Sequence, residues 1–222
     1  SKCANLYVNC IERGFTLKTK GYFGFIIPVA ITCSKRMQKV IDFFNKKSSI
    51  TYFANFDDRP GKLFEMIQHL RATIFIAKTT PRANSNEKFF STKYNRWYSE
   101  CRASLFNNIV YQDVYNIVKE YIVPKISYDV EASIYDKINK SKGRLGLTFA
   151  NSYTPDSAYY RAAGGGYFNL IKIKESETII NGIKEKVKAE KRICIKEEYS
   201  NVSIGSIMSS TLFYWLYIAS TD

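Results

Sequence analysis

Residues 5–78 switch repeatedly between two hydrophobic periods, and that alternation constrains the fold more than any other feature of the chain. Over residues 5–18, Tyr7, Ile11 and Phe15 recur at every fourth position with Leu6 and Cys10 beside them, the pattern of an amphipathic helix ended by Gly21. Residues 22–27 form a continuous apolar run closed by Pro28, which predicts a strand buried on both faces. Ser34 is placed to cap a second helix, with Met37, Val40, Ile41 and Phe44 on one face and Lys46 and Lys47 at the favourable end of its dipole. Residues 50–56 and 72–78 are rich in β-branched and aromatic side chains and read as strands. Helix, strand, helix, strand, loop, strand predicts an α/β fold: a parallel sheet covered by helices, with an antiparallel last pair across a short connection.

That connection reads Asp57-Asp58-Arg59-Pro60-Gly61-Lys62-Leu63-Phe64. Pro60 and Gly61 suit the two central positions of a type II turn, because proline presets the first φ and glycine accepts a positive second one. Such a turn holds Phe64 at a loop edge beside Arg59, Lys62 and Arg71. An aromatic face among basic side chains is what an unstacked base requires, a surface for stacking and positive charge for its phosphate. The alternative is that Phe64 plugs the core beneath the loop.

Charge points the same way. The chain carries a formal +13 over 222 residues, an excess that favours a polyanionic partner, while the bland alternative is a lysine-rich surface kept for solubility. Cys3, Cys10, Cys33, Cys101 and Cys194 form no CxxC pair and the single histidine is His69, so neither a metal site nor a disulfide framework is expected and a reducing, cytoplasmic setting is. No signal peptide is visible. The nearest membrane candidate, residues 204–219, is too short and holds four Ser/Thr and a glycine, so no membrane partner is expected. Both ends read as cut from a longer protein, with Ser1 opening helix-like sequence and Ser220-Thr221-Asp222 directly following the last apolar helix.

Residues 81–86 gather Pro, Arg, Asn and Ser, as a linker does, and the texture then changes. Val114, Ile117, Val118 and Tyr121 suggest a helical face, residues 131–140 a shorter helix, residues 145–150, 167–174 and 192–196 strands, and residues 202–219 a last helix. Lys137, Lys140, Lys142, Arg144, Arg161, Lys172 and Lys174 face only one acid, Asp156, over the same stretch, as a DNA-binding surface requires. Within it Gly164, Gly165 and Gly166 follow Arg161 among Tyr159, Tyr160 and Tyr167, which reads either as a loop lying close against DNA or as an ordinary hairpin. In the first reading Arg161 suits a guanine edge, and the lysines suit phosphates. No GxGxxG or Walker pattern is present.

Residues 4–78 resemble the part of a gamma-class adenine-specific DNA methyltransferase that follows its Asn-Pro-Pro-Tyr motif, the kind found in type II and type IIG restriction-modification systems. The matching pieces are Ala4-Asn5-Leu6-Tyr7 with Ile11-Glu12-Arg13, Gly21-Tyr22-Phe23-Gly24-Phe25-Ile26-Ile27-Pro28, Arg59-Pro60-Gly61-Lys62-Leu63-Phe64-Glu65 and Thr73-Ile74-Phe75-Ile76. Arg161-Ala162-Ala163-Gly164-Gly165-Gly166-Tyr167-Phe168 and Ser209-Ser210-Thr211-Leu212-Phe213-Tyr214-Trp215 are similar to that family's target-recognition region.

The resemblance implies that residues 1–80 are the C-terminal half of a Rossmann-like S-adenosylmethionine methyltransferase sheet, 81–86 a linker, and 87–222 a mixed α/β target-recognition region, truncated at its end. It implies transfer of a methyl group to the exocyclic amine of an adenine flipped out of double-stranded DNA, with Phe64 as one of two stacking faces. A fused or accompanying nuclease is a further implied partner. The prolines of this chain never adjoin, so the catalytic tetrapeptide is missing, and the glycine-rich cofactor loop is missing with it. S-adenosylmethionine is therefore expected in the full-length enzyme, with no cofactor and no catalytic residue expected in this chain alone. The competing classes are a DNA-specificity module without chemistry and an RNA-binding structural protein, although no aromatic signature of the usual RNA modules is visible.

Overall fold

A computed structural model describes residues 5–18, 20–67, 70–79, 88–161, 171–186 and 190–222, with only the backbone of Arg161. The chain forms two compact units, residues 1–139 with 218–222, and residues 140–217.

The first unit is built on a mixed five-stranded sheet in the order β1-β3-β2-β4-β5, with β1 Gly21–Pro28, β2 Ser48–Phe56, β3 Ala72–Thr79, β4 Lys88–Ser91 and β5 Gln112–Asp113. The last pair expected from the sequence, β2 with β3, is antiparallel, with Phe53 opposite Phe75. Less expected is where β3 lies: it inserts between β1 and β2, antiparallel to both, so that β1, β2 and β4 all run the same way. Gly24 permits the close approach of β1 to β3, since a Cβ there would meet the Phe75 carbonyl oxygen at 2.3 Å. Displaced to the edge, β1 leaves Tyr22, Phe25 and Ile26 exposed. The expectation of a strand buried on both faces is thereby corrected, because an apolar run does not reveal which neighbour takes the inner place.

Helix α1, Leu6–Leu17, buries Val8, Ile11 and Phe15, and α2, Gln38–Lys47, buries Val40, Ile41 and Phe44. The rings beneath them meet edge to face, Phe15 on Phe23 at 4.6 Å, Phe44 on Phe75 at 5.0 Å and Phe53 on Phe89 at 5.6 Å. Ser34 does not cap α2; it precedes a 3-10 turn, Lys35–Met37, and its side chain makes no capping bond. Residues 81–86 lie outside the described residues, and strands on both sides of them share one sheet, so the compact units divide at 139/140.

The helix suggested by Val114, Ile117, Val118 and Tyr121 is absent. The Val114 N–H donates to the Phe89 carbonyl at 2.7 Å, which holds the chain against β4 and leaves room only for the 3-10 turn Tyr115–Ile117. Helix α3, Asp129–Lys140, does form where residues 131–140 predict one. Its first turn is closed by Glu131, whose Oε2 accepts from the Ser127 and Tyr128 N–H groups at 2.8 and 3.1 Å.

In the second unit β6 Ser157–Arg161 pairs antiparallel with β9 Glu190–Cys194, and β7 Glu177–Ile180 with β8 Ile183–Lys186. The β7 to β8 turn is Asn181-Gly182, with φ of 52° and 80°. Residues 145–150 are not a strand: Leu145–Thr148 is a 3-10 turn, followed by a bridge from Phe149 to Ile195. Of residues 167–174, 167–170 lie outside the described residues, and Lys172 bridges to Tyr159. The expected last helix is broken into α4, Asn201–Met208, and α5, Thr211–Ser220, bent by 59°. Ser210 causes the break, its hydroxyl accepting from the Phe213 N–H at 3.1 Å to start a new helix. Among the described residues no single helix is long and apolar enough to cross a membrane.

Candidate functional site

Because β1, β2 and β4 are parallel, their carboxyl ends lie along one edge of the sheet, the edge where open α/β sheets hold their ligands. Cys33 follows β1, Asp57 follows β2, and Tyr94 and Arg96 follow β4, while Arg71 stands immediately before β3. Asn55 ties this edge together. Fully buried, it donates from Nδ2 to Ser91 Oγ at 3.2 Å and to the Thr92 carbonyl at 2.7 Å, and its Oδ1 accepts from Thr73 Oγ1 at 2.8 Å. Its carbonyl accepts from the Asn95 N–H and Nδ2 at 2.8 and 2.9 Å, which fixes the segment that carries Tyr94 and Arg96.

Two residues on, Asp57 accepts from Arg96 Nε at 2.6 Å and from Arg71 Nε at 3.1 Å, its own side chain being 1 % exposed. Burial opposes the charge on Asp57, but the Arg96 hydrogen bond, the Arg71 charge and the Asp58 N–H outweigh it and hold the carboxyl below its ordinary range. The loop that follows does not form a type II turn: Arg59–Pro60 is cis, and Gly61 lacks the positive φ that such a turn needs. Gly61 is required for a different reason. Its N–H donates to the Trp97 carbonyl at 2.7 Å, and a Cβ would meet Trp97 Nε1 at 2.7 Å. Leu63 packs with Ala54, Phe56 and Trp97, and Arg102 clamps the loop by donating to the Lys62 and Leu63 carbonyls at 3.1 and 2.9 Å.

Phe64 therefore stands on a braced loop, 41 % exposed, with Met66 and Ile67 exposed after it. On the same loop Arg59 is exposed and Lys62 half-buried, whereas the Arg71 guanidinium is engaged by Asp57. Lys137 is exposed on α3 in the first unit, and Lys140, Lys142, Arg144, Lys172 and Lys174 are exposed in the second. Arg144 folds back onto the Ser141 carbonyl at 2.7 Å, and Lys172 bonds Ser176 and pairs with Glu190 at 3.6 Å. The backbone of Arg161, at the end of β6, pairs with that of Glu190 in β9. Its side chain and Gly164, Gly165 and Gly166 lie outside the described residues.

The structure also singles out residues outside the set expected from the sequence. Arg192 is held over the rings of Tyr153 at 4.0 Å and Tyr159 at 5.7 Å, and its Nε donates to Ser157 Oγ at 2.6 Å. Lys125 is buried among apolar neighbours, Val123 and Ile126, a lysine inside an apolar run being the one signal that could have marked it. Its Nζ lies 5.5 Å from the centre of the Tyr94 ring, and Arg71 lies 5.2 Å from the same ring. Among the described residues, neither Lys125 Nζ nor the buried Tyr94 hydroxyl has a hydrogen-bond partner. Burial, helped by the Arg71 charge, pulls the ammonium down to about 8 against the pull of Cys33 and Asp222, while burial pushes the Cys33 thiol and the Tyr94 hydroxyl up. Among the described residues no group of three or more His, Cys, Asp or Glu is placed to hold a metal ion. No family model, curated protein or solved structure matches the chain.

Proposed function

We propose that this chain is the DNA-binding part of an adenine-specific DNA methyltransferase of a restriction-modification system, working in the cytoplasm. In this reading residues 1–80 are the last strands of a Rossmann-like sheet, and residues 87–222 recognise the target. The observation that carries it is Phe64: exposed, yet held on a loop locked by Trp97 and Arg102, the same loop that carries Arg59 and Lys62. A flipped base needs a rigid flat face at the surface beside positive charge, and that loop offers both. The outer edge of β1 lends support, since no described strand pairs with it and Tyr22, Phe25 and Ile26 are exposed there, as at the cut edge of a larger sheet.

S-adenosylmethionine and the catalytic tetrapeptide are then supplied by an upstream half, and a nuclease is fused to or accompanies the enzyme. Phe64 stacks on the adenine, Arg59, Lys62, Lys137, Lys140, Lys142, Arg144, Lys172 and Lys174 meet phosphates, and Arg161 with Gly164, Gly165 and Gly166 reads base edges. Arg71 braces the loop through Asp57.

Binding of the chain to duplex DNA should fall about tenfold or more between 50 and 200 mM salt, the signature of several released counterions. A flat salt profile in a filter-binding series would remove any nucleic-acid role. With the upstream half present, Phe64→Ala should lose about 1–3 kcal/mol of target-base stacking with the melting temperature unchanged. A large drop in melting temperature would place Phe64 in the core.

A further inference from the structure

The sheet edge beside the Phe64 loop holds a second cluster, in which a buried ammonium and a buried phenol lack hydrogen-bond partners among the described residues. Arg71 and Arg96 share one carboxylate, Asp57, and Lys125 adds a third cation. The Asp222 carboxylate favours the charged form of Lys125 electrostatically but makes no hydrogen bond to it. The two groups left without partners are both donors: an ammonium, which has no acceptor capacity, and a phenol O–H. A water molecule can satisfy the phenol but leaves the ammonium charge unanswered, whereas one oxyanion accepts from both and neutralises the charge.

We propose that Lys125 Nζ and Tyr94 Oη, flanked by Arg71, form a receptor for an oxyanion, the carboxylate or phosphate group of a small ligand bound at the carboxyl edge of the sheet. Lys125 is only 2 % exposed, and the Tyr94 oxygen is buried, so a nucleic-acid backbone does not fit the role. The site is thus separate from the exposed Phe64 loop and its DNA, and it occupies the edge where open α/β sheets take ligands.

The test is thermal unfolding of the whole chain at fixed pH and ionic strength, titrated in separate arms with inorganic phosphate and with acetate. The melting temperature should rise with the logarithm of the concentration of the anion that fits, by about 5 °C or more at a hundredfold excess over Kd. Response in the phosphate arm alone names a phosphate group, and in the acetate arm alone a carboxylate. Lys125→Met should abolish the rise, and Tyr94→Phe, which removes one donor, should raise about tenfold the anion concentration needed for a given rise. No rise with either anion overturns the proposal, as does an undiminished rise in Lys125→Met, which would place the anion elsewhere on the basic surface. If Lys125→Met does not fold, Tyr94→Phe decides alone, an unchanged concentration dependence counting against the site. A chain that ignores DNA yet shows the Lys125-dependent rise would sink the methyltransferase reading and leave this one standing.

Discussion

Asp57→Asn should lower the stability of the chain by about 3 kcal/mol at pH 7, the largest loss expected from any near-isosteric change at the sheet edge. Asparagine keeps the shape and one accepting oxygen but removes the charge between two guanidiniums. Losing one member of a buried ion pair costs about 3–5 kcal/mol, and the lower figure applies because the Arg71 and Arg96 side chains, 27 % and 51 % exposed, can turn partly to water. Arg71 turns least freely, being held over the Tyr94 ring with Lys125 on the same ring. The pH dependence follows from the depressed carboxyl of Asp57. Its contribution is complete above the unfolded value of 3.8 and is lost as pH falls through the lower folded value. Urea unfolding at pH 7 should therefore separate wild type from Asp57→Asn, and the gap should narrow in acid below pH 3.8. A difference under about 1 kcal/mol at pH 7 would mean that the ion pairs only decorate the loop.

How far the sequence reveals this architecture depends on whether a feature is local. Helices α1 and α2 are legible because one face of each carries its apolar residues at a helical period, and strands β2 and β3 because their stretches are rich in β-branched and aromatic side chains. Spatial order is not local: that β3 slips between β1 and β2, exposing Phe25 and Ile26, depends on a choice of partner no single strand records. The spacing of Val114, Ile117 and Val118 looks helical although only one 3-10 turn forms, because Val114 is pinned to Phe89 from another strand. The Asn181-Gly182 turn of β7 and β8 carries a strong local signal, one that a search for apolar periodicity overlooks. At the site, the loop from Asp57 to Phe64 stands out by composition, but the role of its parts does not. Gly61 is glycine for the nearness of Trp97 rather than for its own φ. Arg71 serves Asp57 before any phosphate. Tyr94 and Lys125 meet only once three strand ends are assembled.

Lys125→Met is expected to act in the opposite sense, raising stability at pH 7 by about 3 kcal/mol in buffer free of phosphate and carboxylates. Methionine is unbranched, flexible and apolar, so it can take the course of the lysine stem past Val123 and Ile126 without burying a charge. The size of the gain is set by the displaced ammonium, about 8 in the folded chain against 10.5 in the unfolded one, each unit being worth about 1.4 kcal/mol. Between those two values the unfolded state binds more protons, so the wild type gains stability as pH rises there. The penalty is complete below pH 8 and gone above pH 10.5, and the advantage of Lys125→Met should shrink across that window. The Cys33 thiol and Tyr94 hydroxyl, both raised by burial, push stability down with rising pH, but they are present in both proteins and largely cancel in the difference. Unfolding free energies at pH 7, 8, 9 and 10 would measure it. A wild type more stable than Lys125→Met at pH 7 without added anion would show that the ammonium is answered inside the chain. A gap that closes on adding phosphate or acetate at pH 7 would show what answers it otherwise.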